Sequence, residues 1–390
     1  MYDVLVIGGG IHGAGVAQAA AVNGHSVLLL EKSSIGSGTS SKSSKLIHGG
    51  LRYLESGQLT LVRECLQERG HLLENAPHLV KLQPFIIPVY ADTSRSAIKI
   101  RAGLSLYSVL NGLKKSSQFK SIPKSQWQNL DGLKTDNLKN VFQYWDAQTD
   151  DRLLTRAVIA SAQRYDAEIE TEASFVSANH EDKIWQVNYQ CKGRGKSAAA
   201  KVIINAAGPW VNHVLDAVQP QPKKLNVDLV QGTHIVLQQK FDQGIYYLEA
   251  PADQRAVFVM PWYDASLVGT TEKIYRGDPE NVSAGDDEIG YLLQTVQHYF
   301  PDKINIEAEV VSQSFAGLRV LPAADGAAFA RPRETIIHED KHNAPGVFSI
   351  YGGKLTAYRA TAENVLSDCQ QYLPVTKKRA DTRKLALPVI

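Results

Sequence analysis

The run Val4-Leu-Val-Ile-Gly-Gly-Gly-Ile-His-Gly-Ala-Gly15 lies almost at the start of the chain and decides its fold. Its uncharged, β-branched first half predicts a buried parallel strand, and the small residues among and after the glycines predict a helix packed closely on a sheet. A second apolar strand, predicted at residues 26–30, ends at Glu31. Strand, glycine turn, helix, strand and acid within about 30 residues form the pattern of a dinucleotide-binding unit.

The three glycines of this unit have separate physical tasks. Gly8 permits the tight turn, Gly10 lets the backbone approach a pyrophosphate at the helix N-terminus, and Gly13 lets the helix contact the strand. Glu31 can accept hydrogen bonds from ribose hydroxyls, and its charge disfavours a 2′-phosphate. The unit therefore predicts a bound dinucleotide, although these residues do not separate FAD from NAD.

Length and composition set the broad class of protein. With 390 residues the chain is long for one hydrophobic core, so two domains are expected. Its 44% hydrophobic and 21% charged residues are ordinary for a globular protein, and a net charge of +2 gives no general attraction to nucleic acid. The three cysteines are far apart and form no metal-binding motif, so we expect reduced thiols and no metal site.

The chain is expected to be cytoplasmic. Residues 1–3 carry no basic segment of the kind that begins a signal peptide, and no apolar run approaches the length needed to span a bilayer. Residues 373–390 form a basic tail that we expect to be mobile.

A segment rich in Ser, Gly and Lys follows the second strand, over residues 33–53. Its composition alone is typical of a flexible linker. Its position directly after the predicted ribose-binding strand favours a cofactor-binding loop instead, because hydroxyls and glycines there can lie close to a polar dinucleotide.

The order of the strand and helix patterns predicts an α/β fold. The buried strand near residues 201–205 belongs with the first unit, whereas residues 225–275 indicate a mostly antiparallel sheet. We therefore predict a discontinuous Rossmann-like dinucleotide-binding domain with an inserted substrate domain built on a mixed or antiparallel sheet. The expected bounds are 1–75, 146–215 and 316–372 for the first domain, and 76–145 and 216–315 for the second.

Residues 94–124 contain basic residues interleaved with apolar ones and no acid. As a basic amphipathic surface, this stretch would contact anionic lipid. As a helix that covers the core, it would leave its lysines in solvent. The sequence leaves both interpretations open.

Three cations, Arg52, Arg319 and Lys354, each follow a predicted glycine turn by one or two positions. Glycine lets the backbone approach a flat ring closely, so each adjacent cation would face whatever lies over that ring. Three cations at one point imply an anionic substrate or an anionic reduced flavin. His234, in an apolar strand, and His48, in the glycine-rich loop, are competing candidates for the base that an alcohol oxidation needs.

The chain resembles a known flavoprotein family at these motifs. The longest match is Thr39-Ser-Ser-Lys-Ser-Ser-Lys-Leu-Ile-His-Gly-Gly-Leu-Arg-Tyr53, which is similar to the signature of FAD-dependent glycerol-3-phosphate dehydrogenases in the D-amino-acid-oxidase-like superfamily. The resemblance extends from Tyr2 to about Tyr372. Its further motifs are Asn205-Ala-Ala-Gly-Pro-Trp-Val211, Gly232-Thr-His-Ile-Val236, Gly269-Thr-Thr271, Gly317-Leu-Arg319 and Gly352-Gly-Lys-Leu-Thr-Ala-Tyr-Arg359.

The resemblance implies FAD as the cofactor, in a Rossmann-like FAD-binding domain. It implies oxidation of sn-glycerol 3-phosphate to dihydroxyacetone phosphate by hydride transfer to FAD, with electrons passed to a quinone or another acceptor. It also implies that the substrate is bound by Arg52, Tyr53, His234, Arg319 and Lys354, with His234 as the favoured base. The implied cofactor-binding residues are Gly8, Gly10, Gly13, Glu31, Lys32, Thr39, Ser40, Ser44, Lys45, Leu46, His48, Val176, Ala207, Gly208, Trp210, Gly317, Gly353, Lys354, Leu355 and Thr356.

Three features depart from the usual pattern of this family. Its members commonly continue into a helical C-terminal domain, whereas this sequence stops where that domain would begin, which leaves the quinone route and dimer contacts open. Val320 stands where proline is usual, and Glu272 stands where aspartate is common.

Two other functions stay open at this point. A related flavoenzyme that oxidises a 2-hydroxy acid or an amine would present a carboxylate to the same cations, and a flavin-binding protein without turnover would keep the cofactor motifs alone. The expected partners are a small phosphorylated polyol, a quinone or other electron acceptor, and an anionic membrane surface at residues 94–124. Nucleic acid is not expected, and the alternative location is the inner face of the cytoplasmic membrane.

Overall fold

The computed structural model describes residues 1–305, 310–323 and 335–390. The helices in this part of the chain are α1 (Ile11–Val22), α2 (Leu59–Asn75), α3 (Ala97–Leu110), α4 (Asp151–Gln163), α5 (Val211–Asp216), α6 (Asp286–Tyr299) and α7 (Tyr358–Cys369). The strands are β1 (Tyr2–Ile7), β2 (Val27–Glu31), β3 (Leu46–Ile47), β4 (Lys81–Tyr90), β5 (Lys120–Ser121), β6 (Leu138–Gln148), β7 (Glu168–Thr171), β8 (Ala173–Glu181), β9 (Ile184–Cys191), β10 (Arg194–Asn205), β11 (Val218–Gln219), β12 (Val227–Leu237), β13 (Ile245–Glu249), β14 (Ala256–Trp262), β15 (Ala265–Gly269), β16 (Lys273–Tyr275), β17 (Val311–Pro322), β18 (Ile336–Glu339) and β19 (Val347–Tyr351).

The first of two sheets is built on parallel strands in the order β7-β2-β1-β10-β19. β1 is central, since Val4 lies opposite Val27 of β2 and Val202 of β10. Strands β8, β9, β11 and β18 extend this sheet. Helices α1, α4 and α7 share one apolar core with the sheet, which explains why its central strands are uncharged. The predicted Rossmann-like domain is confirmed.

Helix α1 packs on this sheet with almost no side-chain volume between them. Every residue of α1 except His12 is buried. A Cβ atom on Gly13 would lie 1.9 Å from the carbonyl oxygen of Gly8, and one on Gly15 would lie 2.8 Å from the Tyr358 ring. Because these distances exclude any side chain, α1 can approach both β1 and α7 only at glycines.

The second sheet is mostly antiparallel, in the order β16-β12-β15-β14-β13-β4-β6-β3, with β17 paired to β12 and β5 to β6. Strands β13 and β4 pair in parallel. Helix α6 packs Leu292 and Val296 against Ile235 and Val259 of this sheet. The predicted inserted domain with a mixed sheet is confirmed.

Sheet pairing places two segments that we expected in the first domain in the second sheet. β17 pairs with β12 as far as Pro322, so the return to the first domain that we predicted at residue 316 falls inside a strand of the second sheet. Residues 46–47, expected in the first domain, form β3 and pair with β6 of the second sheet. Local patterns could not assign these strands to a sheet, because their partners are distant in sequence.

Residues 373–390 lie against the first domain, in contrast to the mobile tail that we predicted. The Arg379 N–H donates to the Val22 carbonyl at 2.8 Å, and the Leu387 N–H donates to the Asn75 carbonyl at 2.7 Å. Leu387 is also buried in the core around α1. These contacts join the segment to the ends of α1 and α2, and composition gives no sign of them.

Helix α3 lies within the basic stretch 94–124 and covers the core of the second sheet, as one of the two interpretations predicts. Its inner face contributes Ile100, Leu104 and Tyr107 to the core of the second sheet. Four apolar side chains of the same stretch remain exposed, by 82%, 38%, 59% and 65%: Ile98, Leu106, Val109 and Leu113. In the described ranges, every helix is too short or too polar to cross a lipid bilayer.

We expect Gly13→Ala to destabilise the protein by about 3 kcal/mol, the upper end of overpacking effects, because the new methyl group would overlap the Gly8 carbonyl. Denaturant unfolding measures this loss. The control is Gly70→Ala in α2, where an added Cβ meets no atom within 4 Å. That variant should gain about 0.5–1 kcal/mol from helix propensity. Equal stability of Gly13→Ala and wild type would contradict the close packing of α1.

Candidate active site

A cavity of about 950 Å³ is lined by residues of both sheets and their loops. Gly8 and Glu31 come from the first sheet, and His234 and Arg319 come from the second. Its volume is near the upper end of the range for small-molecule and cofactor sites. A cavity that both domains build is a place where a cofactor and a substrate can meet.

One wall of the cavity is the glycine turn between β1 and α1. The Glu31 carboxylate accepts from the Gly9 N–H at 2.7 Å and, through its other oxygen, from the Ser33 N–H at 2.8 Å. The Ser40 hydroxyl accepts from the Ile11 N–H at 2.9 Å, which brings the serine-rich loop to the N-terminus of α1. This loop therefore forms part of the site.

Most of the residues predicted to bind the cofactor line this cavity: Gly8, Gly10, Glu31, Lys32, Thr39, Ser40, Ser44, Leu46, His48, Val176, Ala207, Gly208, Trp210, Gly317, Gly353, Lys354, Leu355 and Thr356. Gly13 and Lys45 lie outside the lining. Gly13 contacts the strand-turn backbone instead, and the Lys45 ammonium pairs with the buried Asp151 carboxylate at 2.6 Å. The charge of Lys45 is thus balanced inside the protein rather than presented to the cavity.

The cations Arg52, Arg319 and Lys354 all line the same cavity. The Lys354 ammonium lies 3.9 Å from the centre of the Tyr53 ring and has no hydrogen-bond partner among the residues that the structure describes. Arg319 lies 3.8 Å from the Glu272 carboxylate. These three cations give the cavity wall side chains that can bind an anionic ligand.

Two of the three glycine–cation pairs have the predicted turn geometry. Gly50 and Gly353 have φ angles of +77° and +107°, which side chains rarely permit. The glycine turn predicted before Arg319 is wrong, because Gly317 lies inside β17. A Cβ there would lie 2.8 Å from the Lys42 carbonyl oxygen, so this glycine permits a close contact between a strand and the serine-rich loop.

Two histidines, His234 and His48, are on the cavity wall. Burial, with the charges of Lys45 and Arg319, lowers the pKa of His234 to about 3. Burial likewise lowers the pKa of His48 to about 4. The His234 Nε2 atom lies 3.0 Å from the Ser44 hydroxyl. Both rings are neutral near pH 7 and able to accept a proton, so the geometry leaves both candidates for the base open.

The sequence analysis missed several cavity residues. His12 stands inside the glycine fingerprint, which was the available signal, and a Cβ on Gly353 would lie 2.0 Å from its Nε2 atom. Arg255 donates to the Glu272 carboxylate at 2.8 Å and carried no local signal. Four aromatic residues of the second sheet also line the cavity, namely Phe85, Tyr144, Tyr247 and Phe258.

The wall suits FAD, since the glycine turn and Glu31 can hold its nucleotide. The fold and this site define a flavin-dependent oxidoreductase. The chain belongs to the FAD dependent oxidoreductase family, whose model matches residues 3–359, and FAD is its cofactor.

The chain is similar to two groups of sugar-alcohol phosphate dehydrogenases. A glycerol-3-phosphate dehydrogenase from Pseudomonas aeruginosa is 37% identical over 379 residues, covering 95% of this chain and 72% of the relative. D-erythritol 1-phosphate dehydrogenase from Brucella abortus is 37% identical over 377 residues, covering 95% and 74%. The solved glycerol-3-phosphate dehydrogenase from Bacillus halodurans complexed with FAD has a TM-score of 0.77 at 27% identity, covering 99% of this chain and 68% of that one. The predicted family is confirmed.

Stability should fall as the pH is lowered from about 6.5. In the unfolded chain, His234 binds a proton below the ordinary histidine pKa of about 6.5. In the folded protein its pKa is about 3, so lowering the pH between these two values favours unfolding. This one group should remove about 2 kcal/mol between pH 7.5 and pH 5. Denaturant unfolding of wild type and His234→Gln at both pH values measures it. The variant should lose less stability on acidification, and an unchanged pH dependence would contradict the buried neutral histidine.

Proposed function

We propose that this protein oxidises sn-glycerol 3-phosphate to dihydroxyacetone phosphate and passes the electrons to a separate acceptor. The observation that carries the proposal is the group of Arg52, Arg319 and Lys354 around one cavity of an FAD dependent oxidoreductase. A phosphate monoester is an anion that cations at one cavity wall can bind. The relatives named glycerol-3-phosphate dehydrogenase support the same substrate.

The cations bind and orient the substrate. The guanidinium groups of Arg319 and Arg52 suit a phosphate because each offers several N–H donors in a plane. Lys354 has a buried ammonium without a hydrogen-bond partner in the described part of the chain, so an oxygen atom of the substrate would relieve the cost of burying it. As the carbinol becomes a carbonyl, a cation at that oxygen stabilises the developing negative charge.

A neutral histidine accepts the carbinol proton. His234 is the favoured base and His48 the competing one, and both imidazoles are unprotonated near pH 7. Bound substrate phosphate would partly neutralise the cations that, with burial, depress these pKa values, so substrate binding makes either histidine a stronger base. FAD, when bound, supplies the hydride acceptor. The acceptor that reoxidises it is a quinone or another oxidant.

A four-carbon polyol phosphate is the second candidate substrate. It is favoured by the relative named D-erythritol 1-phosphate dehydrogenase, which is as similar to this chain as the Pseudomonas aeruginosa enzyme. The same cations would bind its phosphate. A 2-hydroxy acid or an amino acid would offer a carboxylate instead, and a protein without turnover would reduce no flavin at all.

Anaerobic mixing of the FAD-loaded protein with each compound separates these functions. We expect glycerol 3-phosphate to bleach the oxidised-flavin absorption band at a lower concentration than erythritol 1-phosphate, lactate or glycine. Bleaching by erythritol 1-phosphate alone would identify the longer polyol as the substrate. Bleaching by lactate or glycine alone would exclude a phosphate substrate, and no bleaching by any of them would exclude turnover.

Arg319→Ala should weaken substrate use and leave FAD bound. Hydrogen bonds to charged groups contribute about 1.5–3 kcal/mol, which corresponds to roughly a tenfold to hundredfold rise in the substrate concentration for half-maximal flavin reduction. The control is Arg276→Ala, an exposed arginine of the same sheet that pairs with Asp228 and does not line the cavity. Loss of FAD from Arg319→Ala, with unchanged substrate dependence in the remaining holoprotein, would contradict a substrate role.

We also propose that the exposed face of α3 binds an anionic membrane surface. Its support is the combination of exposed Ile98, Val109 and Leu113 with the exposed lysines Lys99 and Lys114. Apolar side chains can enter the lipid headgroup region while lysines contact anionic lipid. Peripheral contact of this kind would bring the protein to a quinone in the membrane.

Flotation with anionic vesicles tests this surface. Wild type should float at low salt and less at high salt, because screening weakens the lysine contacts. The triple variant Ile98→Ser/Val109→Ser/Leu113→Ser should remain with the unbound protein. The control Tyr263→Ser/Val375→Ser removes exposed apolar side chains elsewhere and should float like wild type. Equal flotation of all three proteins would exclude α3 as the contact.

A further inference from the structure

A buried polar network joins three elements behind the loop that carries Arg52. The Tyr107 hydroxyl donates to the Asp146 carboxylate at 2.6 Å, and Arg69 donates to the other carboxylate oxygen. Arg69 also donates to the Trp145 carbonyl at 3.0 Å. Since Tyr107 comes from α3, Arg69 from α2 and Asp146 from β6, the network ties these elements together at one point.

The network ends on the backbone of the cavity loop. The Tyr107 hydroxyl accepts a hydrogen bond from the Gly49 N–H at 2.8 Å. A Cβ on Gly49 would lie 2.5 Å from that hydroxyl and 2.7 Å from the Leu66 side chain, so the loop can reach the network only because residue 49 is glycine. Gly50 follows with its left-handed φ, and the next turn carries Arg52 to the cavity.

Because the network is buried, its hydrogen bonds fix the position of the cavity loop. The side chains of Arg69 and Asp146 are each about 1% exposed, and Tyr107 is fully buried. A buried backbone N–H without a partner costs free energy, so the Gly49 N–H holds the loop where the hydroxyl is. Burial and the neighbouring Asp146 charge raise the pKa of Tyr107 well above its usual value, so the hydroxyl keeps its proton and can both donate and accept.

We propose that Tyr107, oriented by Asp146 and Arg69, is a positioning residue that fixes the Gly49–Gly50 turn and thereby aims Arg52 at the substrate phosphate. The part of this inference that concerns the phosphate rests on the proposed function. The tether to Gly49 does not depend on the identity of the substrate. None of the three network residues lines the cavity, so each acts through the loop rather than on the ligand.

The test is Tyr107→Phe, compared with wild type and with Tyr246→Phe. Tyr246 is a matched control, because it is also fully buried, donates to a carboxylate, that of Asp131, at 2.8 Å, and does not line the cavity, whereas only Tyr107 is bonded to Gly49 of the cavity loop. Hydrogen–deuterium exchange of residues 46–54 reports on the tether without any substrate. We expect faster exchange there in Tyr107→Phe alone, with FAD still bound in all three proteins.

The functional measurement is flavin reduction at increasing glycerol 3-phosphate. Tyr107→Phe should need about fivefold to tenfold more substrate for half-maximal reduction, the equivalent of one lost hydrogen bond, with the maximal rate changed less. Tyr246→Phe should match wild type. Unchanged exchange in Tyr107→Phe, or faster exchange with unchanged substrate dependence, would overturn the proposal.

Two further measurements keep the outcomes separate. If glycerol 3-phosphate does not reduce the flavin of the wild-type protein, the proposed function fails. The positioning role is then tested by the affinity of each protein for inorganic phosphate, measured from the flavin absorption spectrum. Weaker phosphate binding in Tyr107→Phe alone would support positioning, and equal binding would overturn it. If Tyr107→Phe does not fold, hydrogen–deuterium exchange of the Gly49 amide in the wild-type protein tests the tether. Exchange as fast as that of an exposed loop would exclude the hydrogen bond to Tyr107.

Discussion

The close contact between helix α1 and strand β1 is the constraint on which the rest of this structure depends. Gly13 faces the Gly8 carbonyl at a distance that excludes any side chain, so the helix is held directly on the turn. This contact brings the N-terminus of α1 to the cavity and places His12 against Gly353. The glycine turn and the loop that carries Lys354 are therefore held against the same helix.

The charged side chains around the cavity are unevenly balanced. This favours ligand binding at the expense of the stability of the unliganded protein. Lys45 is neutralised by Asp151 inside the protein, whereas the Lys354 ammonium is buried under Tyr53 with no hydrogen-bond partner among the described residues. Glu272 contacts both Arg255 and Arg319, so one carboxylate holds two guanidinium groups near each other at the cavity wall. Such an arrangement is costly in the unliganded protein and becomes favourable when an anion binds.

The parts that the sequence predicted are those that local patterns encode. The glycine fingerprint and the apolar strands of the first sheet depend on neighbours within a few positions. The predictions that were wrong depended on remote partners. Gly317 looked like a turn but pairs within β17, and the basic end of the chain looked mobile but donates hydrogen bonds to α1 and α2. Arg255 and the aromatic wall were missed because nothing near them in sequence marks a cavity.

The sequence by itself determined the class of protein, because a dinucleotide fingerprint and a long family signature are local runs whose chemistry is carried by residue type and spacing. Only the tertiary structure determined which cations line the same cavity. Arg52 lies in the serine-rich loop, Arg319 in β17 of the second sheet and Lys354 just after β19 of the first, and they line one cavity only because packing brings these segments together. It also decided that Tyr107 reaches Gly49, since a hydrogen bond between two distant segments exists only once the packing between them is fixed.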